Sequence, residues 1–389
     1  MSPVPISNRQ KLVMGNEAVA LGAIAAGCDF FAGYPITPAT EILEEMGKML
    51  PPRGGVFLQM EDELSAIAAV IGAAWGGASP MTATSGPGFS LMQENLGYAS
   101  ITQTPCVIVD AQRGGPSTGL PTLASQGDVM QARFGSHGDR PTLVITASSV
   151  KDCYESTVLA FKMARKHRLP VVLLIDAVIA HMREPFELPP TPPPQKASFP
   201  EIDSDSPRFG DVPFVPFGHG PVTVVTGLSH QANGLAETQR GLHTEQMMRT
   251  TIQNLCNDPE IRRSWVSGYR LEDADIAVAA YGITARAARE AVELLRGDGI
   301  RAGLLDLKVL WPFPNQILRE TANQVATIVV PELNLGQIVL PLKAAVEGRA
   351  EVHSLNLADG TLLTPEDIAE FAAKQMNSTK EVADAQAGF

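Results

Sequence analysis

Long apolar runs, clusters of basic residues and closely spaced cysteines are all missing from this 389-residue sequence, and each absence excludes a class of protein. Without a run of about 18 uninterrupted apolar residues, no membrane-spanning helix is predicted. The formal net charge is −12 with no basic cluster, whereas a nucleic-acid-binding protein needs a basic surface to neutralise phosphates. The N-terminal residues also lack the basic-then-apolar layout of a signal peptide, so we expect a cytoplasmic protein.

The four cysteines are too far apart in the sequence to form a C-x-x-C pair. Their spacing therefore encodes neither a zinc site nor an iron–sulfur cluster, and we predict no metal site in this chain. We interpret them as reduced thiols of the protein core: Cys28, Cys106, Cys153 and Cys256.

The first 184 residues alternate apolar, strand-like runs with helical runs rich in small residues. This alternation predicts an α/β domain whose parallel sheet is covered by helices on both faces. The predicted strands lie at 29–35, 55–60, 80–86, 104–112, 141–148 and 170–176. The predicted helices lie at about 38–50, 62–76, 88–101 and 150–167.

The rest of the chain divides into a connection and a second α/β domain. Residues 185–221 hold eleven of the thirty prolines, which predicts a linker or wrapping arm without regular structure. A polar connection continues to residue 270, with one helix near 244–255. Residues 271–375 contain about four predicted parallel strands, and we expect residues 376–389 to form a loose tail. These strands lie at 275–282, 300–310, 325–332 and 350–357, with a helix at 284–299.

Ligands of open parallel sheets bind outside the carboxyl ends of the strands, and the first two strand ends carry unusual residues. Thr37 lies between two prolines, and its hydroxyl is either held toward a ligand or caps the next helix. Glu63 precedes residues 64–77, which include no charged side chain. It is therefore either an ordinary N-terminal acid of a helix or a desolvated carboxyl group that shares a proton with a ligand nitrogen.

The next two strand ends add a glycine-rich turn and an arginine. Ser85-Gly86-Pro87-Gly88 joins a strand to a helix and offers backbone donors to a polar ligand, although such a turn alone is a weak signal. Arg113 follows a strand and precedes glycines and hydroxyl residues. It is suited to holding a carboxylate with two hydrogen bonds, or else it forms a structural ion pair.

Taken in order, the segments GYPITP, MEDELSAI, TSGPGFSLMQENLG and QRGGPSTG resemble the α subunit of 2-oxoacid:ferredoxin oxidoreductases, most closely the 2-oxoglutarate and branched-chain members. The likeness covers about residues 10–375. It implies an α/β fold with two domains of the thiamine-enzyme type joined by a Pro-rich linker. These are a pyrimidine-binding domain at 1–184 and a transketolase C-terminal-like domain at 271–375, with the connection at 185–270.

The resemblance also implies roles for individual residues. Glu63 matches the glutamate that hydrogen-bonds the aminopyrimidine ring of thiamine diphosphate and so activates the cofactor. Thr37 matches the threonine near the oxoacid carboxylate, and Arg113 matches the arginine that binds this carboxylate. The residues that the resemblance places against the cofactor are Tyr34, Pro35, Ile36, Glu63, Ser85 and Gly86.

Partner chains follow from the same resemblance. A β subunit is expected to share thiamine diphosphate with this chain and to supply the diphosphate site, Mg²⁺ and a [4Fe-4S] cluster, in an α2β2 assembly. Any γ or δ subunit is expected to be a separate chain. The implied reaction is oxidative decarboxylation of a 2-oxoacid, with coenzyme A as co-substrate and ferredoxin as electron acceptor.

Several alternatives stay open at the level of sequence. The substrate is most simply 2-oxoglutarate, whose second carboxylate could be bound by Arg133 or Arg140, but pyruvate and branched-chain 2-oxoacids also fit. The chain could instead be a scaffold subunit whose site has degenerated. A self-contained α/β hydrolase or transferase is the least favoured reading.

Overall fold

The structure is a computed structural model that describes residues 10–187, 189–190, 198–203, 205–220 and 222–387. Its elements up to residue 187 are β1 (Gln10–Met14), α1 (Gly15–Ala25), β2 (Phe30–Gly33), α2 (Thr40–Met49), β3 (Val56–Gln59), α3 (Glu63–Trp75), β4 (Pro80–Thr84), α4 (Gly86–Ile101), β5 (Cys106–Gly114), β6 (Leu120–Ala124), α5 (Val129–Phe134), β7 (Leu143–Thr146), α6 (Val150–His167), β8 (Pro170–Asp176), α7 (Ala177–His181) and β9 (Arg183–Glu187).

The second half of the chain contains fewer helices and strands. Its elements are α8 (Leu242–Asn257), α9 (Pro259–Ser264), β10 (Val266–Tyr269), β11 (Ile276–Ala280), α10 (Gly282–Gly297), β12 (Ala302–Leu307), β13 (Val309–Trp311), α11 (Asn315–Ala322), β14 (Thr327–Glu332), α12 (Val339–Val346), β15 (Glu351–Asn356) and α13 (Pro365–Ala387). None of the helices in the described part of the chain is long and apolar enough to cross a bilayer.

Two separate sheets form the frame of the molecule, as predicted. The first has the strand order β13-β7-β8-β5-β4-β2-β3, with β6 paired to the end of β5, and its strands from β7 to β3 are parallel. The second has the order β10-β12-β11-β14-β15, and its last four strands are parallel. The prediction of about four parallel strands in this half is therefore confirmed.

Burial along β5 explains why this strand lies in the interior of its sheet. All nine of its residues are buried, and alternate side chains enter different parts of the core. Val107, Val109 and Ala111 join one apolar cluster, whereas Cys106 and Ile108 join another. The second cluster also contains apolar residues of β11, β12 and β14, so one continuous core connects the two sheets.

The predicted strand at 300–310 is confirmed as β12 up to Leu307 but is wrong beyond it, because the structure breaks the run into β12 and β13. Lys308 separates them, and its ammonium group lies 2.6 Å from Asp152 Oδ2 and 2.7 Å from Asp306 Oδ2. Beyond Lys308 the chain leaves the second sheet, and β13 pairs antiparallel with β7 at the edge of the first. The second half of the chain thus contributes a strand to the first sheet.

The structure contains a strand pair and a C-terminal helix that differ from the predictions. The pair β1 and β9 was not predicted, since its strands are short, partly charged and far apart in the sequence. The loose tail predicted at 376–389 is also wrong for its first part, because α13 continues to Ala387. Residues 365–387 include no glycine and no proline after the first position, so nothing in the sequence stops the helix. Residues 388 and 389 lie outside the described residues.

The prediction of no regular structure over 185–221 is wrong for residues 185–187, which belong to β9, but the later described residues wrap against the first half of the chain. Between Pro189 and Gly241 its described residues form no helix and no strand of the two large sheets. Phe209, Phe214 and Phe217 surround Trp75 with ring centroids 4.9–6.1 Å away. These contacts cover the end of α3 with apolar surface from the arm.

Candidate functional site

The carboxyl ends of four parallel strands meet at one edge of the first sheet. The order β5-β4-β2-β3 makes these strands neighbours, so the segments that follow them are brought together. Every candidate site residue lies in one of these segments. The segment after β2 contains Tyr34, Pro35, Ile36 and Thr37, and the segment after β3 contains Glu63. Ser85 and Gly86 follow β4, and Arg113 is the second-last residue of β5.

Glu63 is the first residue of α3, but it is not the residue that caps this helix. Asp62 is the N-cap, and its Oδ1 accepts the Ser65 N–H at 2.7 Å. The Glu63 side chain is instead turned into the protein and is only 4% exposed. Burial raises the pKa of its carboxyl group above the ordinary value, against a weak hydrogen bond donated by Thr84 Oγ1 at 3.5 Å.

The turn after β4 leaves room for this carboxyl group. A Cβ atom at Gly88 would lie 2.2 Å from both Glu63 Oε1 and Thr84 Oγ1, so only glycine fits while Glu63 keeps its position. Ser85 is the N-cap of α4 but makes no capping hydrogen bond. Its hydroxyl oxygen is buried and has no hydrogen-bond partner among the described residues. A buried polar atom in this state is available to a ligand.

Arg113 and Thr37 are in direct contact. Arg113 Nη1 donates a hydrogen bond to the Thr37 carbonyl oxygen at 2.8 Å, and this bond fixes a guanidinium that is 8% exposed. Its Nε has no partner in the described part of the chain. The Thr37 side chain is exposed, and α2 begins after Ala39 without a side-chain cap. The helix-capping role considered for Thr37 is therefore wrong.

A cavity of about 620 Å³ opens beside Arg113, between the two halves of the chain. Gly86, Arg113, Ser117 and Asp128 line it from the first half, and Asn334 and Gln337 line it from the second. The loop of the second half is fixed by Gln337, whose Oε1 accepts the Met130 N–H at 2.9 Å. The cavity is therefore a preformed opening with one buried cation on its wall.

The sequence analysis missed a pair of acids beside this cavity. Asp110 is fully buried in β5, beside Asp128, whose side chain reaches the cavity. A single charged residue in the apolar run CVIVDA was the available signal for Asp110. Asp128 gave no comparable signal, because its contact with Asp110 depends on how β6 and α5 return to the sheet.

Arg133 and Arg140, the residues considered for a second substrate carboxylate, do not line the cavity. Arg133 Nη1 donates to Thr142 Oγ1 at 3.2 Å, and Arg140 Nη2 donates to the Ala132 carbonyl at 2.8 Å. Their guanidinium groups thus stabilise the segment around α5. Neither is in position to bind a ligand in the cavity.

The segment Gly115-Pro116-Ser117-Thr118-Gly119 spells the G-x-S-x-G pattern of a hydrolase nucleophile. In a hydrolase this serine lies on a sharp turn from a strand to a helix. Here Ser117 lies between β5 and β6, which pair antiparallel. The segment is therefore a hairpin loop, which removes the hydrolase reading.

Comparisons with known proteins agree with one another. Residues 21–249 match the family "Pyruvate flavodoxin/ferredoxin oxidoreductase, thiamine diphosphate-binding", and residues 274–368 match "Pyruvate:ferredoxin oxidoreductase core domain II". The 2-oxoglutarate synthase subunit KorA of Methanothermobacter marburgensis is 45% identical over 370 residues, which are 92% of this chain and 96% of the relative. The ketoisovalerate oxidoreductase subunit VorB of the same organism is 36% identical over 92% of this chain and 96% of its own length.

Solved structures give the same picture. The 2-oxoglutarate:ferredoxin oxidoreductase of Magnetococcus marinus, with 2-oxoglutarate, coenzyme A and succinyl-CoA bound, is similar with a TM-score of 0.86 and 33% identity. The match covers 94% of this chain but 65% of that chain. A split-gene transketolase shares the fold with a TM-score of 0.56 at 15% identity.

Proposed function

Because the chain belongs to the pyruvate flavodoxin/ferredoxin oxidoreductase family, we propose that it is the α subunit of a 2-oxoacid:ferredoxin oxidoreductase that acts on 2-oxoglutarate. The reaction converts 2-oxoglutarate and coenzyme A into succinyl-CoA and CO₂ and passes two electrons to ferredoxin. Thiamine diphosphate is the cofactor of this family. One observation carries the proposal at the level of the site: a buried Glu63 carboxyl group at the edge where four strand ends meet.

The residues at this edge fit the aminopyrimidine half of thiamine diphosphate. Glu63 is desolvated and has only one long hydrogen bond from the described residues, so its carboxyl group has capacity for a ligand. The buried Ser85 hydroxyl has no partner within the described ranges, and Gly88 keeps side-chain atoms away from Glu63. When bound, thiamine diphosphate supplies the nucleophilic carbon and the electron sink that oxidative decarboxylation needs.

Glu63 holds the proton in this arrangement. Its raised pKa lets the carboxyl group share a proton with a ring nitrogen of the aminopyrimidine at neutral pH, which a solvated glutamate would not do. The apolar run of α3 and the close approach of α4 keep water from competing for this proton. The residues that would line the wall beside the ring are Tyr34, Pro35, Ile36, Ser85 and Gly86.

Arg113 and Thr37 bind the carboxylate that every 2-oxoacid carries. The Thr37 carbonyl holds Arg113 in place, and the unpaired Nε of Arg113 is a donor that such a carboxylate can use. Thr37 is exposed, and its carbonyl contacts Arg113, so its hydroxyl would be a second donor for the carboxylate. Both groups orient the substrate rather than perform proton transfer.

The relatives are named as subunits, so the enzyme has several chains. We propose that a β subunit completes the site with the diphosphate-binding residues, Mg²⁺ and a [4Fe-4S] cluster, in an α2β2 assembly that works in the cytoplasm. Four relatives named 2-oxoglutarate synthase subunit are 43–45% identical, against 36% for the ketoisovalerate relatives, which favours 2-oxoglutarate as substrate.

The direct test is Glu63→Gln in the assembled complex. The amide cannot share a proton in the same way, so dye reduction that depends on 2-oxoglutarate should fall by on the order of 10²–10⁴-fold. Glu61→Gln is the matched control, because Glu61 is two residues away and exposed. It should retain normal turnover, and both variants should assemble with the β subunit.

Near-normal turnover of Glu63→Gln would refute the assignment. The scaffold alternative makes a different prediction for the same complex. If a combined change of Thr37, Glu63 and Arg113 left thiamine diphosphate binding and turnover intact, this chain would serve only as an interface.

A further inference from the structure

Two carboxyl groups beside the cavity have no role in the mechanism described so far. Asp110 is 0% exposed in β5, and Asp128 lines the cavity just before α5. The two carboxyl groups are close enough for a proton on one to bond the other, and each changes the pKa of the other. The Gly86 N–H favours the charged form of Asp110, but no hydrogen bond of ordinary geometry from the described residues reaches either oxygen of Asp110 or Oδ2 of Asp128.

One proton shared by the Asp110 and Asp128 carboxyl groups would explain why two acids lie side by side here. Two ionised carboxylates repel and have no donor between them, so a buried pair retains one proton. Burial, followed by the charge of Asp128, raises the pKa of Asp110 well above its usual range. Burial also raises the pKa of Asp128, to about 6, against the hydrogen bond from Asp110 and the charge of Arg113. Asp110 is fully buried and Asp128 lines the cavity, so we assign the proton to Asp110 and the negative charge to Asp128.

The negative charge acts on Arg113. This guanidinium favours the charged form of both aspartates, yet it donates its hydrogen bond to the Thr37 carbonyl instead. Arg113 and Asp128 both line the cavity. Tyr281 also faces Asp128, and burial together with nearby acids, including Asp128, keeps the pKa of its hydroxyl group well above the ordinary value. Tyr281 therefore stays neutral, and Asp128 and Arg113 are the opposed charges of this wall.

We propose that the Asp110–Asp128 pair sets the affinity of Arg113 for the 2-oxoacid carboxylate. Asp128 is the affinity-setting residue, and Asp110 is the partner that bears the proton. A negative Asp128 offsets part of the potential of Arg113, so the carboxylate is held less tightly than by the guanidinium alone. The inference rests on the proposed function, because it takes Arg113 as the ligand of the carboxylate.

Binding of the carboxylate and protonation of Asp128 must then favour each other. A bound carboxylate makes ionised Asp128 more costly, and a neutral Asp128 leaves more of the Arg113 potential for the ligand. As the pH falls through about 6, KM for 2-oxoglutarate should decrease, because Asp128 becomes neutral. The expected decrease is roughly tenfold, the effect of about one pKa unit of charge interaction.

Calorimetry on the assembled complex tests the linkage without turnover. The probe is glutarate, which has the carboxylates of 2-oxoglutarate but no keto group. Titrations in buffers with different ionisation enthalpies report the protons taken up on binding. Wild-type complex should take up protons near pH 6, Asp110→Asn should retain this uptake, and Asp128→Asn should lose it together with the pH dependence of KM.

Asp110→Asn is the informative comparison, because its amide donates to Asp128 as the protonated carboxyl group does. Glutarate binding without proton uptake in the wild-type complex would overturn the proposal, even if neither variant assembled. Uptake that persists in Asp110→Asn,Asp128→Asn would overturn it as well. Loss of glutarate binding in Arg113→Gln separates the two hypotheses: if that variant bound glutarate normally, the role proposed for Arg113 would be wrong.

Discussion

At the scale of single residues, the Glu63 carboxyl group is expected to serve catalysis but to destabilise the folded protein. This group is buried at the start of the apolar helix α3. Helix capping does not explain an acid at this position, because Asp62 caps α3. Glu63 forms no ion pair with the residues that the structure describes, and the charge of Arg113 offsets its desolvation only slightly. We expect the protein without cofactor to carry this charge at a cost.

This cost predicts the effect of pH on stability. The folded-state pKa of Glu63 is raised, so the folded state binds the proton more tightly, and stability is lost as pH rises from the ordinary glutamate pKa through the raised one. Glu63→Gln removes this loss. Its thermal midpoint without cofactor should exceed that of wild type at neutral pH, and the difference should shrink in acid.

Glu61→Gln is again the control, since Glu61 is exposed and its substitution should leave the midpoint close to that of wild type. A Glu63→Gln midpoint below that of wild type at neutral pH would show that the charged carboxyl group is stabilised by contacts in the folded chain.

The sequence predicted some of these residues and not others, for a physical reason. The absence of charge over 64–77 pointed to a buried surface beside Glu63, and the side chain is buried. Thr37 and Arg113 were predicted at the same edge, and they touch. The Asp110–Asp128 contact joins a strand to a segment beyond the next hairpin, and no local pattern encodes such a pairing.

At the scale of elements, periodicity predicted the parallel strands because each is a continuous apolar run. It failed for β1 and β9, whose five-residue strands pair across the domain and include charged side chains. It also failed at β12 and β13, where one apolar run serves two sheets because Lys308 is anchored between two aspartates. Strand pairing over long sequence distances and buried ion pairs depend on the tertiary structure, which overrides the local preference of a segment for strand or helix.

The contact between α3 and α4 leads to a prediction about Gly88. Gly88→Ala would place Cβ 2.2 Å from Glu63 Oε1 and Thr84 Oγ1, and Thr84 is fully buried, so the longer Glu63 side chain must give way. The chain should therefore fold with a lower thermal midpoint, and the Glu63 carboxyl group should be displaced. Turnover should fall on the order of a hundredfold, as for other displaced catalytic groups.

Gly297→Ala is the matched control. Gly297 ends α10, and a Cβ atom there meets nothing within 4 Å, so turnover and midpoint should both stay close to wild type. Normal turnover of Gly88→Ala would mean that the position of Glu63 against α4 is not needed.

At the scale of the whole molecule, the two halves are joined by polar contacts around Gln126. Its Nε2 donates to the Tyr281 carbonyl at 2.9 Å, and its backbone N–H donates to the Leu333 carbonyl at 2.9 Å. Asp176 Oδ2 accepts the Ile283 N–H at 2.7 Å and makes a further link. These bonds hold the cavity wall of the second half against the first half.

The division into an N-terminal domain, a proline-rich connection and a C-terminal domain stays a prediction, since β13 crosses from the second half into the first sheet. The second substrate carboxylate also has no cation in the cavity wall besides Arg113 among the described residues. Selection of 2-oxoglutarate is therefore expected to depend on a residue of the partner chain.

The most direct measurement is the exchange of the thiazolium C2 proton of bound thiamine diphosphate for deuterium in the assembled complex, followed by NMR after rapid quenching. If the Glu63 carboxyl group activates a cofactor that another subunit helps to hold, exchange should be slower in Glu63→Gln than in wild type by on the order of 10²-fold or more. Equal exchange rates in the two complexes, with the cofactor bound in both, would contradict the account.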